Sequence, residues 1–175
     1  MASTKWVIDP THSVVTFKVK HLMISTVTGN FKIFEGTVET ETEEFSKAKN
    51  LKFKADVKSV NTNNEDRDNH LRSDDFFASE QHPEIRLTAK NFNLKTGEIK
   101  GELTIRKTTK PISLDVDFGG VAVDSYGQTR AGLTANGKIS RKKFGLVWNS
   151  VTEAGNVLVG DQIRLVAEVQ FIKQA

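Results

Sequence analysis

The sequence predicts an all-β protein of about eight antiparallel strands, and three features support this. Apolar and polar residues alternate with a period of two through most of the chain, glycine, proline and asparagine punctuate the alternating segments, and no solenoid or heptad repeat is visible. Strands with one apolar face must cover that face, so a meander of this length closes into a barrel or folds into a sandwich. With 175 residues, the chain is expected to form a single domain, 1–175.

Eight segments carry the alternating pattern. In chain order they are SVVTFKVK (13–20), GNFKIFEGTVE (29–39, less regular), LKFKADVKS (51–59), EIRLTAK (84–90), EIKGELTIR (98–106), PISLDVDF (111–118), RAGLTANGKI (130–139) and DQIRLVAEVQF (161–171). The residues predicted to face inward contain no charge. Turn residues separate the segments, for example Thr96-Gly97, Lys110-Pro111 and residues 126–128.

Several inward positions hold small residues, namely Ala55, Ala89, Gly101, Ala131 and Ala135. An eight-stranded barrel is about the size at which the interior is either just filled or holds one small ligand. Small inward residues leave room for a cavity, and they are equally compatible with tight packing against a facing sheet. From the residues alone, both interiors stay open.

The long connection from residue 61 to 83 lacks the alternation and contains NEDRDNHLRSDDFF (64–77). We expect a short helical segment here, around residues 62–80. Asn63 or Asn64 could cap it, and Glu65 and Asp66 would lie in the first turn, where the helix dipole favours acidic side chains. The residues expected to face the sheet are Leu71 and Phe76 or Phe77.

Composition and charge exclude several classes of protein. The net charge is +3, but the lysines stand singly between apolar residues, as on a wet strand face, so no nucleic-acid partner is predicted. No apolar run approaches the ~18 residues of a membrane span. There is no cysteine, and the first ten residues lack an apolar export segment, which predicts a cytoplasmic protein. A periplasmic location is expected instead if a signal has been removed.

The titratable residues do not form a catalytic or metal-binding motif. The four histidines include no pair at the i, i+2 or i, i+4 spacing of a local metal site, so no metal is predicted. The acid pairs of the long connection stand beside Arg67 and Arg72, and salt-bridged carboxylates stay ionised rather than poised for proton transfer. The sequence therefore predicts no enzyme.

Three motifs, in this order along the chain, give a more specific signal. They are D-P-x-H-S (9–13), R-D-x-H-L (67–71) and R-x-x-F-G-L (141–146), with HPEI (82–85) and GELTIRKTTKPISLDV (101–116) between the last two. In this combination the chain resembles the YceI-like family, the polyisoprenoid-binding group of bacterial lipid-binding proteins. It departs from the family at residues 106–108, Arg-Lys-Thr, where members usually carry glycine and a small apolar residue.

The resemblance implies an extended eight-stranded antiparallel lipocalin-like barrel with a long apolar channel. It implies binding, storage or transport of an amphiphile with an isoprenoid tail, such as a quinone-type or polyprenyl lipid. Neither catalysis nor a cofactor is implied, and a homodimer is possible. The alternative is a metal- or headgroup-dependent enzyme that acts on a small lipid.

Ligand-binding residues are predicted from the inward pattern and the family motifs together. The apolar set comprises Phe17, Val19, Phe31, Phe53, Val57, Leu71, Phe76, Phe77, Leu87, Leu103, Leu133 and Phe144, and the polar set comprises His12, Arg67, Asp68, His70 and Arg141. Arg67, Asp68 and His70 are expected to hold one another by charge-assisted hydrogen bonds. Such a cluster could contact a lipid headgroup, or it could pin the connection to the barrel with Arg141 as a further partner.

Overall fold

The computed structural model describes residues 3–42, 44–149 and 158–175, and within them the chain forms one antiparallel sheet and one α-helix. The helix is α1 (Glu65–Arg72). The strands are β1 (Thr4–Ile8), β2 (Val14–His21), β3 (Ser25–Phe31), β4 (Phe34–Thr40), β5 (Lys49–Asp56), β6 (Val60–Asn61), β7 (Glu84–Asn91), β8 (Glu98–Ile105), β9 (Thr108–Val123), β10 (Thr129–Ser140) and β11 (Val159–Lys173).

Eight of these strands close into a barrel. Their order is β1-β4-β5-β7-β8-β9-β10-β11, and pairing of β1 with β11 completes the ring. The strands β2, β3 and β6 continue the sheet beyond the ring, because β2 pairs with the first part of β11. The prediction of an extended eight-stranded antiparallel barrel with a short helix in the long connection is therefore confirmed.

The extension exists because the first three long strands bend. β1 and β2 lie one after the other along the same edge of β11, at residues 171–173 and 159–168 respectively. In the same way β3 leads into β4, and β5 leads into β6 through a 3₁₀ turn at Val57–Ser59. The eight predicted segments thus correspond to eight long strands, three of which the structure divides.

The D-P-x-H-S motif forms the bend between β1 and β2. The Asp9 backbone N–H donates to the Gln170 carbonyl at 2.9 Å, and the Ser13 hydroxyl accepts from the Gln170 N–H at 3.0 Å. The hydroxyl keeps the β11 backbone satisfied where the neighbouring strand leaves the ladder. Pro10 opens the 3₁₀ turn at Pro10–His12, where its lack of an N–H costs nothing.

Asp9 is the centre of a polar cluster at this bend. Its carboxylate accepts from the Thr11 N–H and hydroxyl, from His12 Nδ1 at 2.7 Å and from Arg130 Nη1 at 2.7 Å. Burial alone would raise the pKa of Asp9, but the hydrogen bonds from Arg130, Thr11 and His12 outweigh it and hold the pKa well below its ordinary value. Because Arg130 belongs to β10, this cluster ties the bend to the far side of β11.

The predicted inward residues form the core, with two differences from the sequence expectation. The first strand begins earlier than expected, since β1 buries Trp6 and Ile8 in a segment that was not predicted as a strand. Pro111 does not end a strand but lies within β9, opposite Glu102 of β8. β9 pairs with β10 only from Asp115 onward, so at Pro111 the strand is paired on one side, where a proline is tolerated.

An aromatic cluster fills one end of the barrel. Phe45 lies 4.9 Å from Trp6, 5.6 Å from Phe118 and 5.5 Å from Phe171, measured between ring centroids. The Trp6 indole N–H donates to the Thr40 hydroxyl at 3.0 Å, so its one polar group is satisfied in the core. We refer to Trp6, Phe45, Phe118 and Phe171 as the aromatic plug.

The other end carries α1, which occupies the predicted connection. Asn64 is the N-cap, and its side chain accepts from the Arg67 N–H at 3.0 Å. Arg72, in the last turn, donates to the carbonyls of Lys58 and Val60 and so fixes the helix to the end of the third long strand. No helix in the described ranges is long and apolar enough to cross a membrane.

Candidate functional site

The barrel encloses a cavity of about 400 Å³ that is lined almost entirely by apolar side chains. At one end the lining includes Phe45 and Phe171 of the aromatic plug, each 2% exposed, so this end is closed. At the other end the lining includes Arg67 of α1, which is exposed to solvent. The cavity is therefore a blind pocket with its mouth beside α1. Its volume falls within the range of roughly 300–1,000 Å³ for small-molecule sites.

The period-two alternation is what lines the cavity. Every second residue of the eight long strands points inward, and these residues include Leu51, Phe53, Leu87, Leu133, Leu165 and Ala167. These six are only half-buried although they face the interior, because they border the cavity and are not covered by facing side chains. Of the two interiors left open by the residue pattern, the structure has the cavity.

Thirteen predicted ligand-binding residues lie in the cavity lining: Phe17, Val19, Phe31, Phe53, Arg67, His70, Leu71, Phe76, Phe77, Leu87, Leu103, Leu133 and Arg141. They come from six strands, α1, the segment after α1 and the 3₁₀ turn Arg141–Phe144. Their placement makes contact with a bound molecule possible, and the contact itself stays a prediction.

Four predicted residues are not part of the lining. Val57 and Phe144 are buried in the wall, at 1% and 3% exposure. Asp68 is buried against Thr62, and His12 lies on the outside in the Asp9 cluster. Val57 leaves the alternation because β5 ends at Asp56, whose carboxylate accepts from the Lys58 N–H and starts a turn.

Aromatic rings surround the mouth of the cavity. The rings of His70, Phe76 and Trp148 form a triangle. His70 meets Phe76 and Trp148 edge to face at centroid distances of 5.0 Å and 4.6 Å, and Phe76 lies 5.4 Å from Trp148. Phe77 packs at 6.1 Å against Phe31, one layer further in. His70 also hydrogen-bonds Asp75 through Nε2 at 2.9 Å, which fixes the ring at this position.

The polar residues of the R-D-x-H-L motif do not bind one another, so that expectation was wrong. Arg67 donates from Nε to the Thr62 hydroxyl at 2.7 Å and from Nη2 to the Thr62 carbonyl at 2.5 Å. Asp68 accepts from the Thr62 N–H and hydroxyl at 2.8 Å and 2.6 Å. The two neighbouring charged side chains thus hold Thr62, the residue that follows β6, from both sides. This arrangement pins the connection to the barrel.

Arg141 is a buried cation without a carboxylate partner among the described residues. Its guanidinium donates to four backbone carbonyls, those of Gly160 at 2.8 Å, Leu146 at 2.6 Å, Trp148 at 2.8 Å and Val159 at 3.1 Å. Burial lowers the pKa of Arg141, and the nearby Asp161 carboxylate opposes this effect. The expectation that Arg141 is a further partner of Arg67 and Asp68 was wrong, because its guanidinium binds the backbone of residues 146 and 148 and that of residues 159 and 160.

Sequence reasoning missed several lining residues, among them Val38, Phe45, Leu146, Trp148 and Leu158. Trp148 was the most informative omission, because it contacts both His70 and Phe76. Its signal was weak but present, since Leu146 and Trp148 continue a period of two after the R-x-x-F-G-L motif. Phe45 lies in a 3₁₀ turn between strands, where no periodicity marks it.

The chemical groups inside the cavity suit binding. Within the described ranges, no three histidine or acidic side chains come together as a metal site. The described lining offers extensive apolar surface for a tail, with Arg67, His70 and Arg141 at the mouth and the Thr16 hydroxyl bonded within the wall. An apolar interior with a polar mouth fits an amphiphile whose tail lies inside and whose headgroup stays at the mouth.

Comparison with known proteins places the chain among bacterial relatives. A sequence profile of the YceI-like domain matches residues 6–171. A UPF0312 protein of Staphylococcus epidermidis is 37% identical over 171 residues, which cover 96% of this chain and 97% of the relative. A UPF0312 protein of Staphylococcus aureus is 36% identical with the same coverage.

Solved structures show the same fold. A Campylobacter jejuni YceI protein superposes with a TM-score of 0.73 at 34% identity, over 89% of this chain and 90% of that one. Burkholderia cenocepacia BcnA superposes with a TM-score of 0.77 at 17% identity, over 93% and 98% of the two chains. A polyisoprenoid-binding domain from Saccharophagus degradans, implicated in plant cell wall breakdown, has a TM-score of 0.70 at 15% identity, over 97% and 98%. At these lower identities the likeness concerns the fold alone.

Proposed function

The chain belongs to the YceI-like family, and from this premise we propose that it binds, and stores or carries, an amphiphile with an isoprenoid tail. A quinone-type or polyprenyl lipid fits this description. The observation that carries the proposal is the blind apolar cavity that runs from the aromatic plug to a polar mouth at α1. The polyisoprenoid-binding domain of the same fold supports the choice of tail.

The cavity volume suggests a short or partly inserted tail. At roughly 30 Å³ for a water-sized group, about 400 Å³ holds on the order of a dozen non-hydrogen atoms, which is two to three isoprene units. Each buried CH₂ contributes ~0.8 kcal/mol, so one five-carbon unit supplies roughly 4 kcal/mol before the costs of association. Three such units supply roughly 12 kcal/mol, and an association cost of about 4 kcal/mol leaves the ~8 kcal/mol of micromolar binding. Tail length should therefore set affinity.

The proposal includes no chemical step. The described lining contains His21, His70 and Thr16, but no carboxylate or serine that would complete a nucleophile, base and orienting group. The Thr16 hydroxyl donates to the Val166 carbonyl at 3.0 Å, which is a bond within the wall of the barrel. Binding without turnover is the simplest use of such an interior.

The test is mass spectrometry of the purified protein under non-denaturing conditions, with and without a charge in the cavity. Phe53→Asp places a carboxylate in the apolar lining, and Lys52→Asp introduces the same residue one position away on the outer face of β5. We expect lipid to remain bound to the wild type and to Lys52→Asp and to be lost from Phe53→Asp. Full lipid loading of a folded Phe53→Asp protein would refute the cavity assignment.

A second variant covers the case in which Phe53→Asp does not fold. Leu133→Trp adds volume to the lining without adding charge, at a residue that is half-buried next to empty space. It should reduce the longest tail that binds while the fold stays intact, as followed by circular dichroism. Unchanged uptake of long tails by Leu133→Trp would contradict the proposal.

A further inference from the structure

All ionisable residues in the described cavity lining are basic. They are Lys20, His21, Arg67, His70 and Arg141, and we call them the basic rim. Among the described lining residues there is no aspartate or glutamate. A solvent-exposed strand surface of this protein looks different, because lysines there pair with glutamates, as Lys54 does with Glu35 and Glu84.

The rim residues belong to one cluster at the mouth. His70 follows Arg67 by one turn of α1 and contacts the Trp148 ring, whose residue supplies a carbonyl to Arg141. His21 pairs with Val159 across the β2–β11 ladder, and the Val159 carbonyl accepts from Arg141. Lys20 precedes His21 at the end of β2, and because strand side chains alternate, its side chain points to the outer face of the sheet, opposite to that of His21.

The rim has unused hydrogen-bond donors. A guanidinium has five N–H groups. Arg67 uses two of them on Thr62, which fixes its plane and leaves three, including both on Nη1, without an acceptor among the described residues. Arg141 uses four on backbone carbonyls and keeps one on Nη2. Both side chains are therefore held in place by neutral oxygens, and their charges are not neutralised by these bonds.

The neighbouring carboxylates are engaged elsewhere. Among the described residues, Asp75 is the one acid in hydrogen-bond contact with the rim, through His70. Asp68 binds Thr62, and Asp161 accepts from the Ser140 hydroxyl and the Lys142 N–H. The exposed first-turn acids Glu65 and Asp66 precede Arg67 by two and one positions, a spacing that does not place side chains face to face.

From this arrangement we propose that the basic rim selects amphiphiles with an anionic oxygen headgroup, such as a phosphate monoester or a carboxylate. The inference rests on the proposed function, since the tail must first occupy the cavity. A fixed guanidinium with free N–H groups suits an oxyanion, and a partly desolvated mouth strengthens the charge-assisted bond. A cationic head would face uncompensated positive charge, and a neutral alcohol would use only part of the available donors.

The test compares headgroups on one tail. The delipidated protein is titrated with farnesyl phosphate, farnesoic acid, farnesol and farnesylamine, and with inorganic phosphate alone, by isothermal calorimetry at low salt. We expect farnesyl phosphate and farnesoic acid to bind about tenfold or more tightly than farnesol, and farnesylamine to bind most weakly. Inorganic phosphate alone should not bind measurably, because the tail supplies most of the affinity. Raising the salt concentration should reduce the ratio of affinities between farnesyl phosphate and farnesol.

Matched variants locate the effect. Arg67→Gln should reduce the preference for farnesyl phosphate over farnesol by about threefold or more, because the phosphate loses a charge-assisted bond and the alcohol loses at most a neutral one. Arg164→Gln, which removes an equivalent exposed charge from the outer face of β11, should keep the wild-type preference. If Arg67→Gln does not fold, His21→Gln takes its place.

The outcomes separate this inference from the proposed function. Equal affinity for farnesol and farnesyl phosphate, or tightest binding of farnesylamine, would overturn the anionic headgroup and leave the lipid cavity standing. A preference that survives in Arg67→Gln and His21→Gln would also overturn the role of the rim. Failure of every farnesyl compound to bind would instead refute the proposed function.

Discussion

Replacing Arg141 tests how the wall of the cavity is held together. Arg141→Met keeps much of the side-chain length and apolar volume but removes the guanidinium. Three backbone carbonyls, those of Leu146, Trp148 and Gly160, would lose their donor, whereas the Val159 carbonyl keeps the Asn149 Nδ2 donor at 2.8 Å. Each buried acceptor left without a partner costs about 1–3 kcal/mol, and water that enters through the mouth reduces this cost.

At the lower bound of about 1 kcal/mol for each of the three carbonyls, the loss of unfolding free energy amounts to about 3 kcal/mol. That is a large fraction of the roughly 5–15 kcal/mol by which a domain is normally stable. It corresponds to a fall in melting temperature of about 6–12 °C for a chain of this size. Removing an uncompensated buried charge offsets part of the loss, so a decrease of about 2–3 kcal/mol is expected.

The assay is urea denaturation followed by tryptophan fluorescence, with Lys142→Met as the control. Lys142 is the next residue in the chain and is exposed, so its replacement should change the free energy of unfolding by less than about 0.5 kcal/mol. A free energy of unfolding for Arg141→Met within about 1 kcal/mol of wild type would refute the reasoning. It would mean that the three carbonyls find other donors and that Arg141 does not hold the backbone at Leu146 and Trp148 against Gly160.

Two further predictions concern the bend and the cavity wall. Because the pKa of Asp9 is lowered in the folded state by Arg130 and its neighbours, its stabilisation is present above its ordinary pKa and is lost as pH falls. In chemical denaturation, the free energy of unfolding of the wild type should exceed that of Asp9→Asn by about 2 kcal/mol at pH 7. This difference should shrink below about pH 4, and a difference that is constant with pH would contradict the role of the Asp9 carboxylate. Gly29→Val places a Cβ atom 2.3 Å from Cζ of Phe17, so the ring must move into the cavity. We expect Gly29→Val to lower the free energy of unfolding by about 1–3 kcal/mol and to weaken uptake of long tails, with both effects smaller when the change is made in a Phe17→Ala background. Unchanged uptake in Gly29→Val would contradict the expected ring position.

Much of the cavity could be predicted from the sequence because strand geometry is local. Leu133 and Leu165 follow a period of two, and that period alone decides which face of a strand they occupy. Asn64 was a predictable helix cap for a similar reason, since a cap depends on residues within one turn. The strands with a single apolar face left a barrel and a sandwich open, and the resemblance to the YceI-like family implied the barrel.

The remaining features depend on contacts between distant parts of the chain. Trp6 and Phe45 lie outside the predicted strands, and only the packing of the aromatic plug explains their burial. The polar partners of Arg67 and Asp68 were mispredicted because adjacent opposite charges were expected to form an ion pair. In the structure Thr62 supplies an N–H, a hydroxyl and a carbonyl at short range, and these satisfy both side chains better.

The ring of eight strands closes without α1, and this bears on the rate at which a lipid could bind and leave. The helix holds its place through Thr62 and through the bonds from Arg72 to Lys58 and Val60, none of which belongs to a ladder of the ring. A displacement of these eight residues would widen the mouth while every ring strand keeps its neighbours. In the proposed function, exchange of a bound lipid would then need only a local opening, and the stability of the barrel would be set separately by its ladders.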